Sequence, residues 1–184
     1  MTEEILIHHC APTLAGIKVG ALVTTEIDGL ESLVGWIDRV NQELVSKGVN
    51  VQALRVRKNR ALLYVYRPKQ LRVILEDLQA RDMLDRFGYR GAASVADMVN
   101  RLAENVRDRE TFPHEIGLFL GYPVEDVRGF IENKGLGAKM TGVWKVYADV
   151  ESAVRCFRRF RKCSQVYATK FREGYSLSRL TIAI

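Results

Sequence analysis

Two strand-forming runs with three polar residues between them constrain this chain most. Val51-Gln52-Ala53-Leu54-Arg55-Val56-Arg57 and Ala61-Leu62-Leu63-Tyr64-Val65-Tyr66 flank Lys58-Asn59-Arg60, a pattern that calls for an antiparallel hairpin. Asn59 is the residue expected to take the left-handed turn conformation. A hairpin alone is marginal in water, so the rest of the chain has to cover it. Helical stripes are available for that. Leu30, Leu33, Val34, Ile37, Val40 and Leu44 recur at helical spacing between an Asp28/Glu31 capping box and Gly48. Arg67-Pro68 opens a helix to about Gln79, with Leu71, Ile74, Leu75 and Leu78 inward. Ser94 and Asp97 make a second capping box ahead of Val95, Met98, Val99, Leu102 and Val106.

From Thr111 to Gly135 the punctuation predicts two short helices in tandem. Pro113 opens the first and Gly121 ends it; Pro123 opens the second and Asn133 to Gly135 close it. Asp149 caps a last long helix through about Ala168, with Val150, Ala153, Val154, Phe157 and Phe160 inward. Further strands are expected at Glu4–His8, Gly142–Tyr147 and Leu177–Ile184. Pro12 would then open a helix just after the first of them. The expected architecture is α/β (α+β): a small mixed or antiparallel sheet of about four to five strands flanked by several helices, in a single domain over residues 1–184.

Composition narrows the function classes. An apolar fraction of 47% and a charged fraction of 27% are ordinary for a globular protein. No run approaches the roughly 18 apolar residues of a membrane span, so no membrane partner is expected. The acidic Met1-Thr2-Glu3-Glu4 start and the interruption at His8-His9 argue against a signal peptide. Three cysteines, at 10, 156 and 163, make no disulfide framework, and a reducing cytoplasmic location is expected. Cys156 and Cys163 lie two helical turns apart, too far to bridge. The net charge of +6 permits an anionic partner without requiring one.

Several stretches together resemble one known family: His9-Cys10-Ala11-Pro12-Thr13-Leu14-Ala15-Gly16-Ile17-Lys18, Tyr64-Val65-Tyr66-Arg67, Phe112 to Pro123 with Glu125-Asp126-Val127, Gly142-Val143-Trp144-Lys145-Val146-Tyr147, and Lys162-Cys163. The chain is similar to the family filed as domain of unknown function 3793, found chiefly in anaerobic bacteria. That resemblance implies a free-standing cytoplasmic bacterial domain of about this length. It implies no activity and no cofactor.

The candidate chemistry sits in two of these stretches, which hold all three histidines: His8 and His9 beside Cys10, and His114 in the second. At a strand-to-helix junction, Cys10 would lie at a helix N-terminus, where the dipole and free N–H groups stabilise a thiolate. His9 or His114 would then be its acid/base partner, and Glu115 or Asp126 would orient that imidazole. Thr13, Lys18 and Tyr122 complete the expected site as ligand-binding groups, Thr13 and Lys18 suiting a phosphate or carboxylate. The expected function is thiol-dependent group transfer, hydrolysis or redox on a small molecule or partner protein. The plain alternative makes Cys10 a small buried hydrophobe and the histidines surface residues.

Two other classes compete. A non-enzymatic ligand-, metal- or tetrapyrrole-binding adaptor would draw on His9, Cys10, His114 and Cys163, but no metal-binding spacing is present, and no metal ligand is assigned. Nucleic-acid binding would use the helix-turn-helix-like 113–133 segment or the basic run Arg155, Arg158, Arg159, Arg161, Lys162, Lys170 and Arg172. Glu125 and Asp126 would repel phosphate in the first. In the second, Phe157, Phe160, Tyr167 and Phe171 fall at inward spacing, so a solvated amphipathic helix is the favoured reading.

Overall fold

The computed structural model describes residues 3–109 and 111–184. In chain order the elements are α1 (Glu4–Leu14), β1 (Gly20–Glu26), α2 (Leu30–Leu44), β2 (Asn50–Arg57), β3 (Arg60–Tyr66), α3 (Pro68–Glu76), α4 (Leu78–Arg86), α5 (Val95–Asp108), α6 (Ile116–Phe119), α7 (Val124–Glu132), β4 (Met140–Thr141), β5 (Lys145–Val146), α8 (Val150–Arg172) and α9 (Leu177–Leu180). The mixed helix-and-sheet class expected from the sequence is present. Its strands divide into a three-stranded antiparallel sheet of order β1-β3-β2 and a separate β4–β5 ribbon.

The central hairpin forms as its sequence demands, with Arg57 paired to Arg60. That pairing shortens the loop to Lys58-Asn59, and Lys58 (φ 52), not Asn59, takes the left-handed conformation. Alternation along β3 then builds two cores. Leu63 and Val65 join Leu6, Leu14, Leu33 and Val40 on one face. Tyr64 and Tyr66 join Leu71, Leu84, Val99, Leu102 and Phe119 on the other. A register shift between Ala53 and Arg55 leaves Leu54 as an extra residue, fully buried in the second core. Helices therefore cover both faces of the sheet.

Residues Glu4–His8 are helical, not a strand, and Pro12 lies inside α1 rather than at its start. Leu6, Ile7, Cys10, Ala11 and Leu14 recur at helical spacing and are fully buried. Burying each large apolar chain is worth roughly 1.5–3 kcal/mol, which outweighs the β preference of Ile5–Ile7 and the roughly 3 kcal/mol cost of an interior proline. Leu177–Leu180 is likewise a short helix, capped by the Ser176 hydroxyl accepting from Arg179 N–H. Thr181 after it is extended, and Ile182 N–H donates to the Leu14 carbonyl. The expected Asp28/Glu31 box is absent: Gly29 starts α2 without a side-chain cap, and Trp36 is buried while Val34 is exposed. The single helix expected to Gln79 breaks at Asp77, whose carboxylate caps α4 through Gln79 and Ala80 N–H. That break turns Leu78 outward. The Ser94/Asp97 box, the tandem helices closed by Gly121 and Gly135, and the Asp149 cap of α8 follow the sequence expectation.

One charged residue ties the layers together. Arg67, only 1% exposed, donates Nε to the Thr13 carbonyl at 2.6 Å and Nη1 to Lys47 at 3.0 Å. Its Nη2 reaches the carbonyls of Leu14 at 2.6 Å and Ile182 at 2.7 Å. The guanidinium thus closes the C-terminal end of α1, where the helix dipole is negative, and pins the chain terminus to it. Burial pulls its pKa down, yet carbonyl oxygens rather than a carboxylate satisfy it.

Candidate functional site

The site is organised by the β4–β5 ribbon, which is held from below by Asp126. This buried carboxylate on α7 accepts from Trp144 Nε1 at 2.7 Å, Tyr147 N–H at 2.7 Å and Ala148 N–H at 2.9 Å. Gly142, in the ribbon's turn, lies flat on the Phe157 ring of α8; a Cβ there would sit 2.2 Å from Phe157 Cε2. Thr141, Gly142 and Val143 therefore form a low ridge with a cleft on either side.

The first cleft, about 560 Å³, is basic. His9 and Pro12 of α1, Lys18, and Arg158, Arg161 and Ser164 of α8 line it, and its lining includes no carboxylate. Lys18 is placed by the end of α1. Gly16 takes φ +74, and the N–H groups of both Ile17 and Lys18 turn back to the Pro12 carbonyl. The Lys18 ammonium then lies 5.5 Å from the Tyr122 ring centre and 6.0 Å from that of Phe160. Among the described residues no ion pair involves Lys18, Arg158 or Arg161. Burial pulls the Lys18 amine down, with Cys10 and Cys156 opposing the shift.

The second cleft, about 360 Å³, is aromatic. Phe112, His114, Tyr122, Phe130 and Trp144 line it, with Lys145 at the edge. Trp144 stacks on Tyr122 at 4.8 Å and meets Phe157 edge-on at 4.5 Å. His114 lies edge-on to Phe130 at 5.0 Å. Lys145 donates to the Gly135 carbonyl at 2.7 Å and sits 5.8 Å from the Phe130 ring centre, which braces that wall.

Against this geometry the sequence-derived residues separate. His9 and Lys18 share the basic cleft, His114 and Tyr122 share the aromatic one, and the Lys18–Tyr122 contact joins the two. Cys10 lines neither. It lies in the middle of α1, fully buried, so the helix-N-terminus placement is overturned; burial pushes its thiol up to about 12, with Lys18 only partly opposing. Glu115 is fully buried away from both clefts and pairs with Arg109 at 3.2 Å, with Tyr89 and Asn105 donating from 3.4 Å. Asp126 is taken up by the ribbon, so neither carboxylate orients a histidine. Thr13 is fully buried, and it is its carbonyl, not its hydroxyl, that acts, on Arg67. No group of three or more His, Cys, Asp or Glu with metal-holding geometry occurs among the described residues, so His9, Cys10, His114 and Cys163 do not form a ligand set. Arg67 and Trp144 are the key residues that spacing alone missed. The available signals were a charge at the end of an apolar strand and a Trp whose indole N–H meets a carboxylate in the first turn of α7.

Fold and site together define a mixed α+β domain in which a ribbon separates a basic cleft from an aromatic one. The chain belongs to the family described as protein of unknown function, DUF3793, whose model matches residues 6–181. No curated protein and no solved structure matches it.

Proposed function

We propose that this is a ligand-binding domain whose basic cleft holds a small organic anion. The observation that carries this reading is Lys18: a half-buried ammonium facing a cleft lined by further cations and no carboxylate. Holding such a charge away from water is costly unless an anion pairs with it. A phosphate or carboxylate would supply that partner. The Arg158 and Arg161 guanidinium groups offer planar forks for its oxygens, and Ser164 and His9 add hydrogen-bonding groups. The cleft's volume of about 560 Å³ suits a metabolite-sized guest. A reducing, cytoplasmic setting is part of this reading, supported by three unpaired cysteines.

Thermal denaturation and titration calorimetry with inorganic phosphate, pyrophosphate and citrate test it. At one hundred times its Kd a bound anion adds about 2.7 kcal/mol to stability. That gain is expected in the native protein and lost in Lys18→Met. Equal gains in both proteins, or none with any of the three anions, would refute the anion site.

A further inference from the structure

We infer that the ligand is a planar aromatic ring joined to an anionic group, its ring seated in the aromatic cleft and its anion in the basic one, across Gly142. This rests on the anion-binding reading and names the ligand class for the same site. Three observations carry it. The clefts are walled by the same residues, Thr141, Gly142 and Val143, so one molecule crossing the ridge touches both. At that ridge the Gly142 backbone packs directly on Phe157, where a Cβ would clash with the ring, so the turn lies close against α8. Finally, Lys18 packs over Tyr122, which itself stacks on Trp144, so the cation and the ring platform form one continuous surface.

The chemistry of the aromatic side fits a flat guest. Aromatic rings from α7, the segments on either side of α6 and the ribbon's turn converge there, and the carboxylate of Asp126 is consumed by three internal hydrogen bonds. A π-faced ring gains aromatic contact with the rings that line this cleft, whereas a sugar or an aliphatic acid gains little. Nucleoside phosphates, flavin phosphates and indole acids share this pairing of ring and anion.

Titration calorimetry compares adenosine monophosphate, flavin mononucleotide and indole-3-acetate, each against its ring-free counterpart: ribose phosphate, ribitol phosphate and acetate. At least one ring-bearing anion is expected to bind about tenfold or more tighter than its counterpart, the scale of one stacked ring. Emission provides a second readout, because the chain has two tryptophans and Trp36 is buried in the opposite core. Quenching by the preferred ligand is expected to persist in Trp36→Phe and vanish in Trp144→Phe. If ring-free and ring-bearing anions bind equally while Lys18→Met still abolishes phosphate binding, the ring site is overturned and the anion site stands. If phosphate binding is indifferent to Lys18→Met, the underlying reading fails instead.

Discussion

Arg67 and Lys18 are both cations drawn away from water near the end of α1, and their surroundings differ in one respect. Arg67 meets four backbone carbonyls from three parts of the chain, so every contact is internal and the side chain is nearly inaccessible. Lys18 meets two ring faces and a cleft, with no carboxylate within ion-pair distance among the described residues. A satisfied buried cation holds a fold together; one left facing a cavity is a place for something else to bind. The protein uses the first as a fastener, and the proposed function makes the second the group that receives a ligand.

The largest expected effect comes from breaking the fastener. Arg67→Ala leaves four carbonyls without their donor and is expected to cost about 3–5 kcal/mol, measured by urea denaturation. Arg67→Lys should recover only part of this, because three donors on a point charge cannot reproduce the fork. Full recovery would show that charge alone suffices there. Lys18→Met should act in the opposite direction, raising apo stability by about 1–2 kcal/mol while removing anion binding. Its advantage depends on pH. Lys18's folded pKa is lowered, so folding disfavours the protonated amine. The penalty is full at low pH and fades as pH rises through the lowered pKa toward the ordinary lysine value. The two proteins should therefore converge in alkaline buffer, and a gap that is constant with pH would break the comparison.

Smaller effects sharpen it. Arg158→Ala touches an exposed side chain with no ion pair among the described residues, so stability should stay within about 0.5 kcal/mol while anion affinity falls. A large loss of stability would assign Arg158 to the fold rather than the cleft. Cys10 should show almost no reaction at all. With its thiol near 12, about one part in ten thousand is thiolate at pH 8, and the side chain is fully buried. Native alkylation with iodoacetamide followed by peptide mass mapping should label the partly exposed Cys156 and Cys163 and spare Cys10 until the protein unfolds. Early labelling of Cys10 would restore it as a chemical group.

Much of the fold was readable residue by residue. The hairpin, the Ser94/Asp97 cap, the Pro113–Gly121 and Pro123–Gly135 brackets and the Asp149 cap are all local devices, decided within a few residues. The site was readable only in part. Its two histidine-bearing stretches do flank one structure, but that structure is the ribbon, and His9 and His114 occupy separate clefts. Reading Glu4–His8 as a strand moved Cys10 to a helix start and made a buried thiol look activated.

What the sequence determined by itself is part of what short-range stereochemistry controls: the central hairpin, the Ser94/Asp97 and Asp149 caps and the glycine-closed helix ends. The Glu4–His8 strand, the Gly142–Tyr147 strand and the Asp28/Glu31 cap did not form as expected. Tertiary structure decided the rest, because those outcomes depend on partners far along the chain. Ile5–Ile7 become helical because their neighbours fill a core built from α2, α8 and the sheet. Arg67 becomes a fastener because Lys47 and Ile182 reach it. Lys18 becomes a candidate binding group because α8 and the ribbon enclose it without bringing a carboxylate.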